Sequence, residues 1–342
     1  MRMRRSTDFG ITWQAPVAQP FPVGWVPTVV WDEKANVLTS VGLCRWPPNA
    51  SKASAAAALL RPDNKANCTS TLDATCSWKS SDDGLTWAGP TSVGSFGHVE
   101  GCGGTALSAS GTILAGAGLP NCSSTSPSFA AALISSDGGR HWQRGGPTPR
   151  LPSGQGWGEC SIAELANGSV VLTSRLGQSV AKGAHWAPIQ QAFAISHDGG
   201  QHWDKAWSFP AAQPFDVGCG PGYNVNHGLA SAKNKTWLLM SKPTANLHGD
   251  AGGQNGIFNC SRHTQGSCTY RRNLTIPMSS DGGASWKIEP WGLVYAGRVA
   301  YSDLTELPDG KIAVVFERGS PVEEYRHLSV AIVSPPWAAE AL

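Results

Sequence analysis

The sequence predicts an all-β chain assembled from repeated hairpins, and three observations lead there. Forty glycines and 24 prolines in 342 residues punctuate the chain with turns. Short apolar runs, several of them alternating, lie between the turns. Fifteen tryptophans stand against five tyrosines, and five of those tryptophans end copies of one octapeptide. The copies are STDFGITW (Ser6–Trp13), SSDDGLTW (Ser80–Trp87), SSDGGRHW (Ser135–Trp142), SHDGGQHW (Ser196–Trp203) and SSDGGASW (Ser279–Trp286). Successive tryptophans are 74, 55, 61 and 83 residues apart. An invariant turn at uneven spacing is what a propeller allows, because insertions collect in loops.

Each octapeptide position has a physical task. Asp8, Asp82, Asp137, Asp198 and Asp281 accept hydrogen bonds from turn amides. Gly10, Gly84, Gly139, Gly200 and Gly283 supply a positive φ. The indole is a plate that packs on the neighbouring unit. Strand-like runs such as residues 131–135 and 192–196 lead into the motif, so it is a hairpin turn. The five aspartates are architectural and carry no chemistry.

Composition bounds the function. Hydrophobic residues make up 41% and charged residues 15%, which suits one packed domain over 1–342. A net charge of +2, from 26 basic and 24 acidic side chains, argues against a nucleic-acid partner held through phosphates. No run approaches eighteen apolar residues, so no membrane span is expected. The nine cysteines include no C-x-x-C pair, so neither zinc nor thioredoxin chemistry is favoured; no metal and no cofactor are expected.

Three segments between the octapeptides carry unusual polar residues. Residues 158–175 read as strand, Asn-Gly turn, strand, which brings Glu159 and Arg175 to one rim. Residues 270–276 run into the last octapeptide; alternation puts Arg271 and Arg272 on opposite faces. Residues 300–319 form a hairpin turning at Pro308-Asp309-Gly310, with Tyr301 and Glu317 at its open end.

The octapeptide is the Asp box, and five of them resemble the six-bladed β-propeller of the sialidase (neuraminidase) family. Asp boxes also occur in propellers without glycosidase activity, so the three segments decide the matter. Glu159, Glu164-Leu165, Asn167-Gly168 and Arg175 are similar to the family's first catalytic segment. Arg271, Asn273, Leu274 and Thr275 resemble its R-x-N-L-T. Ala300 to Leu304, Leu307, Asp309-Gly310 and Glu317 resemble its tyrosine segment. Residues 328–337 resemble its closing strand. The resemblance spans nearly the whole chain, and the segments keep the family's order.

The resemblance implies an exo-α-sialidase, a retaining hydrolase releasing terminal sialic acids from glycoconjugates. The chemistry fits the residue types. A sialic acid carries a carboxylate on its anomeric carbon, and guanidinium forks bind carboxylates bidentately; Arg175 and Arg271 are the expected clamp. That carboxylate would repel an acidic nucleophile, and sialidases accordingly use a tyrosine instead of the two-carboxylate pattern. Tyr301 is the expected nucleophile, Glu159 its base, and Glu317 an orienter of the clamp. His98 and Glu100 are further candidates for the sugar pocket. A deaminated sialic acid or another 2-keto sugar acid would fit the same clamp. The competing reading is a non-catalytic Asp-box propeller that binds a glycan or a protein.

In the family, a third arginine and an acid/base aspartate lie upstream of the first box, which here begins at Ser6. The expectation is a first blade incomplete at the N-terminus and little or no sialidase turnover by these 342 residues. Asn67-Cys68 with Cys76 echoes Asn259-Cys260 with Cys268, each pair eight apart, so local disulfides Cys68–Cys76 and Cys260–Cys268 are expected. Seven of 13 asparagines sit in N-x-S/T, where chance gives about two. Asn49, Asn67, Asn121, Asn234 and Asn259 are the expected glycosylation sites; Asn273, beside the clamp, is expected to stay unmodified. Together these features suggest a secreted or lysosomal glycoprotein, monomeric, with a sialylated glycan as partner.

Overall fold

The computed structural model describes residues 2–19, 28–43, 74–96, 103–119, 129–151, 156–176, 191–208, 228–243, 272–287, 293–319 and 326–335. The described residues are all-β, in sheets of the propeller type. A two-stranded ribbon pairs β1 (Arg2–Met3) with β2 (Val17–Ala18). The next sheet runs β3 (Thr28–Asp32), β4 (Val37–Leu43), β5 (Ala74–Ser80), β6 (Ala88–Ser95). The third is β7 (Gly104–Ala106), β8 (Ile113–Leu119), β9 (Phe129–Ser135), β10 (Gln143–Arg144). The fourth is β11 (Trp157–Glu164), β12 (Val170–Leu176), β13 (Gln191–Ser196), β14 (Lys205–Ser208).

Two sheets interleave in sequence after that. Strands β15 (Leu229–Ala232), β16 (Trp237–Met240) and β19 (Met278–Ser279) form one of them. The other orders β17 (Lys242–Pro243), β18 (Arg272–Thr275), β20 (Leu293–Glu306), β21 (Ile312–Arg318) and β22 (His327–Val333). All the pairings are antiparallel, and β3, β7, β11, β15 and β20 pack one against the next as the inner strands.

In each four-stranded sheet the Asp box joins the third strand to the fourth. Its geometry repeats closely. Ser80 Oγ donates to Asp82 at 2.7 Å and accepts the Gly84 amide at 2.8 Å. Asp82 then accepts the Thr86 amide at 2.9 Å. The Trp87 indole N–H donates to the Gly84 carbonyl at 3.2 Å. The box glycine is left-handed as expected, with φ of +80° at Gly84. The residue before it is left-handed too: Phe9 and Asp83 at 56° and 54°, Gly138, Gly199 and Gly282 near 70°. Glycine at that position in three boxes removes a strain that the first two boxes accept.

The box tryptophans fill the layers between sheets. Trp142 packs with Val30, Val41 and Ile113, Trp203 with Leu114, Ile162 and Leu172, and Trp286 with Val171, Phe193 and Leu238. Each indole thus joins its own sheet to the preceding one. These three are 7–8% exposed, whereas Trp13 is 42% exposed, so the first box lacks that cover among the described residues. Its ribbon still touches both neighbours. Arg5 bonds Asp83 of the second box at 2.8 Å, and Gly10 abuts Ile332 and Val330 of β22. Close approach of β8 to β11 depends on Gly116, where a Cβ would lie 2.6 Å from the Cys160 carbonyl oxygen.

The boxes also predict an acid transition. Hydrogen bonds from the hydroxyl and then the amide of Thr12 hold Asp8 at about 2, and Thr86 does the same for Asp82. The folded values lie below the ordinary 3.8, so these carboxylates support the fold fully above about pH 4. Their contribution is lost as pH falls through about 2. The urea midpoint is therefore expected to drop between pH 4 and pH 2, and Asp82→Asn should be less steep there. A midpoint flat across that window would contradict the assignment.

Candidate active site

The sheet arithmetic puts all the site segments at one end of the strands. Glu159 lies near the start of β11, and Arg175 near the end of the antiparallel β12. The turns and Asp boxes are at the opposite end. Tyr301 lies on β20, and Glu317 near the end of β21. Since β11 and β20 are both inner strands flanking β15, their side chains meet across the centre.

The meeting is a hydrogen-bonded chain. The Tyr301 hydroxyl donates to Glu159 Oε1 at 2.9 Å. Arg175 Nη1 donates to Glu159 Oε2 at 3.0 Å. Glu317 Oε2 accepts the Tyr301 backbone amide at 3.3 Å. Glu159 is 7% exposed, Tyr301 and Arg175 are partly buried, and both carboxylate oxygens of Glu159 are engaged. One oxygen of this carboxylate is held by a guanidinium, and the other faces the phenol whose proton it could take.

Backbone bulges aim these side chains. The β11–β12 register shifts between Trp157 and Cys160, spanning Gly158 and Glu159. The β20–β21 register shifts between Val299 and Ser302, spanning Tyr301. The β18–β20 register shifts around Asn273, which is left-handed at φ 60° and 7% exposed. A bulge turns one residue out of the regular alternation and points it elsewhere. The sequence offers a signal for the first in Gly158, where a Cβ would lie 3.0 Å from the Arg175 carbonyl oxygen. Nothing in the sequence marks the bulge at Tyr301.

Sequence reasoning also missed Gln191. It pairs directly with Arg175 across β12 and β13, is fully buried, and donates to Thr173 Oγ1 at 2.6 Å. Glu164 matches the family segment but lies at the far end of β11. There it accepts the Ser108 amide at 3.0 Å and pairs with Lys235. It is a buried tie between sheets, away from Tyr301.

Several expected residues lie outside the described residues: Arg271, His98, Glu100, Cys68, Cys260, Cys268, Asn49, Asn67, Asn121 and Asn259. Cys76 is disulfide-bonded. Asn234 is exposed in the β15–β16 turn. The sequon at Asn273 is closed, with Thr275 fully buried. Among the described residues no group of three His, Cys, Asp or Glu side chains has the arrangement of a metal site, and no helix is long and apolar enough to cross a membrane.

A phenol bonded to a carboxylate that is itself paired with a guanidinium thus sits on the inner strands of an Asp-box sheet assembly of the propeller type. The family described as "BNR repeat-like domain" matches residues 60–314, and "BNR/Asp-box repeat" matches residues 4–15. The chain belongs to the BNR repeat-like family. It is 28% identical over 202 residues to a sialidase of Micromonospora viridifaciens, covering 59% of this chain and 25% of that protein. It therefore spans about a quarter of that relative's length. The fold is shared with the Hadza microbial sialidase, at TM-score 0.60 and 19% identity, covering 96% of this chain and 58% of that one. It is also shared with an α-L-arabinanase of Penicillium chrysogenum, at TM-score 0.61 and 14% identity, covering 97% and 84%.

Proposed function

We propose that the chain is a retaining glycoside hydrolase of the exo-sialidase type, acting on a terminal sialic acid or a related 2-keto sugar acid. One observation carries the reading: the 2.9 Å hydrogen bond from the Tyr301 phenol to Glu159. A free phenol titrates near about 10 and is a weak nucleophile at neutral pH. A carboxylate at this distance takes its proton as the oxygen attacks the anomeric carbon. The bond to the departing glycan breaks, and its electron pair leaves with the glycosidic oxygen, which takes a proton from solvent. Water then displaces the tyrosine, which recovers its proton from Glu159 while the water gives up its extra proton to solvent, and configuration is retained over the two inversions.

Arg175 and Arg271 hold the substrate carboxylate in this reading. A guanidinium has five donors, so Arg175 can keep Glu159 while it binds substrate. Glu317 fixes the backbone that carries Tyr301. His98 and Glu100 are the candidates this reading offers for contacts to the sugar. The disulfide at Cys76 and the exposed sequon at Asn234 support a secreted or lysosomal glycoprotein.

The test is covalent trapping with a sialosyl fluoride bearing a second fluorine at C3. Fluoride leaves without a proton, so the first step is read independently of the acid that protonates a natural leaving group. The expected result is one sugar adduct on the peptide containing Tyr301, absent from Tyr301→Phe. Binding of the sugar acid without an adduct would favour the non-catalytic propeller. An adduct persisting in Tyr301→Phe would overturn the assignment of the nucleophile.

A further inference from the structure

The turns at the other end of the sheets line an open charged cavity, of about 420 Å³, between β3–β6 and β7–β10. Its walls come from three loops. The β3–β4 turn supplies Lys34, the β7–β8 turn Ser110 and Gly111, and the third Asp box Ser136, Asp137, Gly138 and Arg140. Lys79, from the end of β5, completes it. Three cations thus face one cavity with two carboxylates, Asp32 and Asp137.

The carboxylates are already engaged. Asp32 accepts the Ala35 amide at 3.1 Å and is 4% exposed. Asp137 accepts Ser135 Oγ, the amides of Arg140 and His141, and the His141 ring nitrogen, at 2.5–3.0 Å. The cations have weaker company. Lys34 Nζ donates to the Ala109 carbonyl at 2.5 Å. Among the described residues, neither Lys79 nor Arg140 forms an ion pair. Burial and then the Arg140 charge pull the Lys79 ammonium below its ordinary range, with Asp137 opposing. Two cations close enough to repel, neither of them in an ion pair among the described residues, stabilise an anion placed between them. The Ser110 and Ser136 hydroxyls and the open backbone at Gly138, where a Cβ would touch nothing, add neutral partners and room.

We propose that this cavity is an anion site that takes an oxyanion of the sulfate, phosphate or carboxylate kind, carried on a small ligand, through Lys79 and Arg140. Its volume falls within the range of small-ligand pockets, about 300–1,000 Å³. It lies at the opposite end of the strands from Tyr301 and does not depend on the hydrolase reading.

The experiment is calorimetric titration with sodium sulfate, sodium phosphate, sodium acetate and a 6-O-sulfated N-acetylglucosamine at constant ionic strength. The expected result is saturable binding of at least one oxyanion, weakened at least about tenfold in Arg140→Ala and in Lys79→Met, since each removes a charge-assisted contact. Lys205→Ala, an exposed lysine on β14, should bind as wild type. The arms separate the sources: a preference for the sulfated sugar over sulfate marks a glycan ester, and a preference for phosphate or acetate marks the other two. Arg140 is exposed and its box bonds run through its amide, so that variant should keep the fold and the trapping of Tyr301. Heats that match sodium chloride in every arm, or equal affinity in Arg140→Ala and wild type, would overturn the proposal.

Discussion

Replacing Glu159 by Gln is expected to slow covalent trapping of Tyr301 at least about a hundred-fold, the lower end of what a positioned base contributes. The amide can still accept the phenol's hydrogen bond, at the 2.9 Å now occupied by Oε1. It cannot take the proton. The variant should therefore show a rate that climbs with pH toward the phenol's own ionisation near about 10, whereas the wild-type rate, with a base already in place, should rise less steeply over the same range. Rates of adduct formation by intact mass, from pH 5 to pH 10, check this. Glu159 also pairs with Arg175 at 3.0 Å, so the unfolding midpoint must be measured alongside. A rate loss matched by a collapse of the fold would say only that the pair is structural. A folded Glu159→Gln chain labelled at the wild-type rate would remove Glu159 as the base.

The second large effect is structural. Phe193 on β13 has no exposed surface. Its ring stacks on Trp207 at 5.7 Å and tilts against Trp286, the indole of the fifth Asp box, at 5.4 Å. The Trp207 indole in turn donates to the Gly283 carbonyl of that box at 3.1 Å. Three aromatics thus join the β11–β14 sheet to the next one. Phe193→Ala is expected to cost about 3–5 kcal/mol, the transfer loss plus the cavity left behind. Urea unfolding with an unchanged slope is the measurement. A loss under about 1 kcal/mol would mean that the two tryptophans close over the gap, and that the layer is softer than its packing implies.

The Asp box was readable because its bonds are local. Serine, aspartate, glycine and indole lie within eight residues, and every contact among them is set by the turn. The seventh position was less legible. Thr12, Thr86, Ser285, His141 and His202 all bond the box aspartate, which a hydroxyl and an imidazole can both do, so no single residue type announces the role. The hairpins of residues 158–175 and 300–319 were readable from their turns. That Glu159 and Tyr301 touch was reached only through likeness to a family, because 142 residues separate them.

From its order of residues alone, this protein is a string of tryptophan-ended hairpins, with a phenol, two acids and two arginines at hairpin ends. Short-range hydrogen bonding and period-two alternation are enough to specify that much. Tertiary structure alone decided which ends converge. The inner strands meet around a common centre, and bulges at Glu159 and Tyr301 turn those two side chains out of alternation toward each other. It also decided that Glu164, chemically the equal of Glu159, is spent on Ser108 and Lys235 at the far end of the same strand. A carboxylate's role follows from what surrounds it, and those neighbours come from distant parts of the chain.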